Sequence, residues 1–244
     1  MIEFARYVMD RASWGFRLLL ICLAFSYSSP ANAMGDMPSG CDNRGIAQAI
    51  TASQIQKAYS LSIECENTLL SRHSKPFAES MLNIQYLATA QILTIQGKFD
   101  AARDRMSKAE SLARSFLIPV GEIENATRGF LLERLGRVDD EAIPFYLLST
   151  QSDARARLAI IYLDRNQWTA AAEAAGAALK DEPANPTALV VLGALMEKTN
   201  PGEAVVQYKR AISSAMAGNP SVMPLRYFEL PRASAGIARL EPNP

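Results

Sequence analysis

Few side chains in this 244-residue chain are of a type and spacing that could do chemistry. The only histidine, His73, stands in "SRHSKP" between two predicted helices, where a lone imidazole in a polar loop is expected to be solvated rather than ligating. Metal sites need several His, Cys or carboxylate ligands at set intervals, and neither H-E-x-x-H nor an EF-hand loop occurs. A serine acyl-transfer site has no seed, because G-x-S-x-G and S-x-x-K are both absent. Glycine loops that cradle phosphate are absent as well. Asp139-Asp140-Glu141 is a carboxylate cluster at a predicted helix start, suited to the positive end of a helix dipole. Asn125-Ala126-Thr127 matches a glycosylation sequon but falls inside a predicted helix. The chain is therefore expected to be non-enzymatic, without metal or cofactor.

Cysteine is the remaining chemistry. Cys22 lies in the apolar N-terminal run and follows Leu-Leu-Ile, a poor lipoprotein site. Cys41 and Cys65 are the other two, and no C-x-x-C redox pair exists. In an oxidising compartment an even count invites pairing. A bond between them would close a loop of about 24 residues and tie the N-terminal region to the first predicted helix, a constraint worth about 3 kcal/mol in chain-entropy models. Two free buried thiols are the alternative.

The compartment is suggested by residues 1–33. Arg6, Arg11 and Arg17 precede the apolar run "LLLICLAFSY", and Ala31-Asn32-Ala33 supplies a small-x-small site. These are the three parts of a secretory signal peptide, with cleavage expected after Ala33 and a periplasmic or secreted product. The apolar run is short against the roughly 20 residues a spanning helix needs, so no stable membrane insertion is expected after cleavage. Retention of residues 18 to 27 as an anchor is the rival reading.

The elements that would position anything else are helical. Hydrophobic residues make up 49% of the chain and charged ones 20%, enough for a sizeable core. Lys+Arg and Asp+Glu both number 25, with no basic stripe, which argues against nucleic acid as partner. Alternating strand patterns and Asn-Gly or Asp-Gly hairpin turns are absent. Residues 34–50 read as a linker. Thr51-Ala52-Ser53-Gln54 then reads as a capping box opening a helix. Helix boundaries recur at "QGKFDAA", "LGRVDDEA", "RNQWTAA" and "TNPGEA". The alanines Ala102, Ala142, Ala171 and Ala204 in these turns are separated by 40, 29 and 33 residues, a mean of 34. A two-helix period of that length signals a solenoid.

The repeats resemble the tetratricopeptide repeat (TPR) family. Leu158, Ala159 and Tyr162, then Ala171, Ala175 and Ala178, with Pro183 closing, follow its pattern; so do Leu192, Gly193 and Met196 with Ala204, Tyr208 and Ala211. Units containing Tyr86, Ala90, Phe99 and Ala102, and then Gly129, Ala142 and Tyr146, are more degenerate, and Ile143-Pro144 is awkward early in a second helix. The resemblance implies an all-α, right-handed α-solenoid of about four to five antiparallel helix pairs over residues 51–217. Small residues at helix crossings would let axes approach closely, with Tyr162, Trp168 and Tyr208 filling wedges between hairpins. Residues 218–244 would form a cap and tail, with Met223 to Leu230 as a short helix ended by Pro231.

By the same resemblance, the first helices would line a concave groove for a protein partner. Its positions would be Ile84, Leu87 and Gln91; Ile123, Ala126 and Phe130; Asp153, Ala156, Ile160 and Leu163; and Thr187, Val190 and Ala194. Only Arg157 is basic there, which disfavours capture of a C-terminal carboxylate and favours an extended apolar segment or amphipathic helix. A register slip would instead put these residues in inter-repeat core. The expected role is an adaptor, assembly factor or chaperone-like scaffold in the bacterial envelope, with self-association through the same surfaces left open. A cell-wall glycan-binding or glycan-processing accessory protein is the alternative.

Overall fold

The turns between paired helices set the architecture. The structure, a computed structural model, describes residues 41–71, 76–116, 121–217 and 223–241. It contains α1 (Asn43–Thr51), α2 (Ile55–Leu70), α3 (Pro76–Ile95), α4 (Phe99–Phe116) and α5 (Gly121–Arg134). A π-helical turn (Val138–Ala142) runs into α6 (Ile143–Leu147), followed by α7 (Ser152–Asp164), α8 (Trp168–Asp181), α9 (Pro186–Met196) and α10 (Pro201–Met216). A 3₁₀ turn (Pro224–Tyr227) and α11 (Leu230–Leu240) complete it, and no strand occurs among the described residues. The candidate signal peptide and His73 lie outside the described residues. None of the described helices is long and apolar enough to cross a membrane.

Helices α3 and α4, α5 and the π turn with α6, α7 and α8, and α9 and α10 pack as hairpins. Three of the four hairpin turns place a left-handed residue after the first helix: Gly97 at φ 73°, Gly136 at 78° and Asn166 at 58°. Gly and Asn are the residues that tolerate this conformation, and it reverses the chain within a few residues. The fourth turn works differently. Asn200 caps α10, accepting the Glu203 amide at 3.2 Å ahead of Pro201. Asn185 does the same for α9, accepting the Ala188 amide at 3.1 Å ahead of Pro186. Both are Asn-Pro starts, with the Pro ring where no amide donor is needed.

Hairpins close on small residues. Ala102, Ala171, Ala175, Ala178, Ala204 and Ala211 are fully or almost fully buried. Two hairpins share a further device. A Cβ on Gly193 of α9 would lie 2.6 Å from the ring of Tyr208 on α10, and one on Gly129 of α5 would lie 2.9 Å from the ring of Tyr146 on α6. Each ring rests on a bare glycine, and each hydroxyl donates at 2.6 Å to the carboxylate one turn further along the first helix, Glu197 for Tyr208 and Glu133 for Tyr146. Burial and the adjoining carboxylate push both phenols above their ordinary pKa.

Four expectations change. Trp168 fills no wedge; it is 51% exposed at the start of α8. Residues 34–50 include a helix, α1, capped by Asp42, whose carboxylate accepts the Gly45 amide at 2.7 Å. Thr51 consequently ends a helix instead of opening one, and its hydroxyl donates back to the Ala47 carbonyl at 2.8 Å. Pro231 starts α11, occupying its first turn, where a missing N–H costs nothing. Pro144 behaves likewise: the chain makes one π turn first, so the proline falls early in the short α6.

A Cys41–Cys65 disulfide joins the chain two residues before α1 to the second half of α2. Nine residues are too few for an isolated helix to persist in water. The bond and the packing of Ile46 and Ile50 against the C-terminal hairpin hold α1 in place.

Replacing Cys41 with Ser should therefore lower unfolding stability by about 3 kcal/mol. Urea melts of the oxidised protein and the variant measure this, and coincident curves would contradict it. A Gly193→Ala substitution should cost about 1–3 kcal/mol by overpacking against Tyr208. An unshifted denaturation midpoint would mean that the ring is free to move.

Candidate functional site: a groove filled by the C-terminal segment

Helices α3, α5, α7 and α9, the first of each hairpin, carry the predicted groove residues, and α3 packs on α5 and α7 on α9. That face is not open. Segment Met223–Glu229, which contains the 3₁₀ turn, lies against it, and eight of the ten principal groove positions are buried. Ile84 and Ile123, near the N-terminal ends of α3 and α5, are the two that stay half-exposed.

Main-chain groups of the segment are met by groove side chains. The Leu225 amide donates to Gln91 Oε1 at 3.0 Å. The Arg226 carbonyl accepts from the Thr187 hydroxyl at 2.9 Å. Gln91 itself is fully buried and donates to Thr127 Oγ1 at 2.8 Å, which fixes its amide orientation. Such contacts satisfy backbone polar groups that burial would otherwise leave unpaired.

Charge anchors the middle of the segment. Arg226 Nε lies 3.0 Å from Asp153 Oδ1, and its Nη1 lies 2.7 Å from Glu182 Oε1. Asn185 donates to the same Asp153 oxygen at 2.8 Å, and the Ser152 hydroxyl donates to Glu182 Oε2 at 2.6 Å. Burial works against the Arg226 charge, but Asp153 and Glu182 more than restore it, so the guanidinium pKa stands above its ordinary value. Leu225 and Tyr227 are each 1% exposed and enter two separate apolar clusters.

The end of the segment closes a second ionic cage. Phe228 meets Phe130 edge-on, with ring centroids 5.5 Å apart. Arg157, with 1% of its side chain exposed, lies against both rings at 5.3 Å from Phe130 and 5.6 Å from Phe228. Its Nη1 reaches Glu229 Oε1 at 2.6 Å, and its Nη2 pairs with Glu133. Desolvation opposes this buried charge; Glu133 and Glu229 outweigh it and raise the pKa well above normal.

The predicted residues thus divide into two groups. Gln91, Phe130, Asp153 and Thr187 converge on the C-terminal segment, and Val190 joins the same cluster as Tyr227. Leu87 lies in core with Ala102 and Met106 of α4, and half-buried Ile123 packs on that cluster. Ile160 and Leu163 lie in core with Ala171 and Ala175 of α8 and Val191 of α9. Sequence reasoning missed Glu133, Glu182, Arg226, Phe228 and Glu229. The available signal was "PLRYFEL", an aliphatic-basic-aromatic run too apolar for a loose tail.

Among the described residues no group of three or more His, Cys, Asp or Glu side chains could hold a metal ion. Asp139 and Glu141 occupy the π turn, where Asp139 pairs with Arg165 at 2.6 Å and Glu141 pairs with Arg137.

The division is testable by charge insertion. Ile160→Asp buries a carboxylate without a partner and should destabilise by about 3 kcal/mol or more, seen as a collapsed melting transition. Ile84→Asp should leave far-UV circular dichroism and melting almost unchanged. A reversed ranking would exchange the two assignments.

Compared with known proteins, no protein-family model matches the chain and no curated protein matches it significantly.

Proposed function

We propose that this chain is an exported, non-enzymatic adaptor: a right-handed α-solenoid of tetratricopeptide type that holds a protein segment on the face of α3, α5, α7 and α9. The observation that carries this reading is that a peptide already sits there. Met223–Glu229 is gripped through its backbone by Gln91 and Thr187 and through its side chains by Asp153, Glu182 and Phe130. A surface that satisfies a short 3₁₀-turned segment in this manner has the donors, acceptors and apolar wells that peptide recognition requires. Left-handed turns at Gly97, Gly136 and Asn166, and glycine-seated tyrosines in two hairpins, support the repeat reading, because equivalent sequence positions perform equivalent jobs.

Export is supported by two features. The N-terminal 33 residues have the tripartite form of a secretory signal. The Cys41–Cys65 disulfide suits an oxidising compartment such as the bacterial periplasm. The adaptor would then serve an assembly of the cell envelope, without nucleic acid and without a stable membrane span.

Two measurements check this. N-terminal sequencing of the exported protein should begin at Met34; a start upstream of the apolar run would remove the signal-peptide reading. A photo-crosslinker at Ile84, on the half-exposed rim of the face, should yield a discrete adduct in the native envelope fraction, while one at exposed Trp168 should not. Equal labelling from both sites would sink the groove as the partner site.

A further inference from the structure

We infer that the C-terminal segment is an intramolecular pseudo-ligand, and that the partner it excludes is a protein segment of the same pattern: an aliphatic residue, an arginine, then two aromatics. This rests on the reading of the α3, α5, α7 and α9 face as protein-binding.

The contacts themselves separate this segment from ordinary core. Where hairpins meet their own partners, the interface is mainly alanine and glycine against aliphatic and aromatic surface, and the few polar contacts across it, such as Tyr208 to Glu197 and Asn83 to the Ala109 carbonyl, join groups of one continuous hairpin. Opening such an interface exposes apolar area and gains nothing in return. The segment is bound differently. Its anchors are main-chain hydrogen bonds from Gln91 and Thr187 and an arginine between two carboxylates. Every one of these groups can be satisfied equally well by another peptide, because an amide, a carbonyl and a guanidinium are common to any segment containing arginine. Main-chain contacts supply affinity without regard to sequence, and the side-chain wells supply the selection.

The wells define what is selected. The Asp153–Glu182 pocket is doubly acidic, and Asn185 and Ser152 hold its oxygens in place. It therefore demands a cation, and its paired acceptors match the fork of a guanidinium better than the point charge of a lysine. Two positions further along, Phe130 presents an edge-to-face partner for one aromatic ring. The residues between and before them, Leu225 and Tyr227, drop into apolar clusters on either side. An acidic or purely aliphatic segment would leave buried Asp153, and partly exposed Glu182 beside it, without a counter-charge, so the pocket also discriminates against the wrong ligand.

Because the segment is tethered, it competes at an effective concentration of order millimolar. An external ligand's apparent affinity falls by the fraction of time that the site is free. The test uses the full chain and a fluorescein-labelled peptide of sequence MPLRYFEL, matching residues 223–230. Fluorescence anisotropy should give at least tenfold tighter binding to an Arg226→Ala, Phe228→Ala variant than to the unaltered chain. A control peptide with Ala in place of the arginine should bind at least tenfold more weakly than the parent peptide. Absence of peptide binding by a variant that retains its helical circular dichroism overturns the inference. Native-state hydrogen exchange of the unaltered chain covers the case where the variant does not fold. The Leu225 amide should exchange about a hundredfold faster than the slowest amides of α7 and α9, as expected for a locally opening element. Equal rates would make the segment integral core and overturn the inference. The two readings fail separately. Peptide binding without any Ile84 adduct in the envelope removes the adaptor and keeps the pseudo-ligand. An Ile84 adduct equally strong with and without Arg226→Ala removes the pseudo-ligand and keeps the adaptor.

Discussion

The fold depends on keeping one guanidinium charged in a place from which water is excluded. Arg157 is among the largest fully buried side chains in the structure, and its desolvation would cost several kcal/mol if left uncompensated. Compensation comes from two directions. Glu133 belongs to the preceding hairpin, and Glu229 belongs to the C-terminal segment some seventy residues downstream, a separation of 72. Phe130 and Phe228 lie against the cation from those same two elements. The third hairpin, its neighbour and the C-terminal segment therefore stabilise one another through this charge, and Glu133 alone remains to pair with it where the segment opens. One side chain couples three parts of the chain.

Glu133 also joins this cage to the hairpin geometry. The carboxylate that pairs with Arg157 is the one that accepts the Tyr146 hydroxyl, and Tyr146 lies on Gly129. The last hairpin repeats the arrangement: Tyr208 rests on Gly193, donates to Glu197, and Glu197 in turn receives Arg239 of α11 at 2.7 Å. In both cases a bare glycine admits a ring, the ring positions a hydroxyl, and the hydroxyl orients a carboxylate toward an arginine from another element. Local packing is thereby converted into a directed charge. Such a chain of dependence explains why glycine is kept in the middle of two helices despite a cost of roughly 1 kcal/mol against alanine.

Much of the hairpin layout was legible in the residues, and for physical reasons. Left-handed turns demand Gly or Asn, so Gly97, Gly136 and Asn166 announce themselves; close crossings demand small side chains, so the alanines do too. Cys41 and Cys65 pointed to each other because a pairing leaves a simple even count. What failed was whatever depended on tertiary neighbours. Trp168 looks like a wedge from its size, but its place at the start of α8 leaves it 51% exposed. Helix α1 is short and contains Gly45, so propensity hides it, although Ile46, Ala47, Ala49 and Ile50 already trace one apolar face. The groove positions were identified by their place on the first helices, which is a property of period. That another segment fills the face is a property of long-range packing, and no periodic signal marks the proline-interrupted run from Met223 onward.

The first described helix and the C-terminal segment meet beside that filled face, and this gives the arrangement its logic. Ile46 and Ile50 of α1 share a cluster with Tyr227 and Leu230 from the C-terminal region and with Ala211 and Ala215 of α10. A stack of hairpins leaves its first and last members with one uncovered flank each, which ordinarily calls for a polar cap. Here the N-terminal helix and the C-terminal segment cover apolar surface for each other instead. The disulfide holds α1 to α2 on one side of this junction, and the Arg226 and Arg157 ion pairs hold the segment to α7 and the end of α8 on the other. Of these attachments only the disulfide is covalent. Displacing the segment would break ionic contacts that another arginine-bearing peptide can remake, while α1 stays tethered through Cys41. The junction is therefore asymmetric: its N-terminal half is fixed by a bond, and its C-terminal half is fixed by charges that are exchangeable in kind.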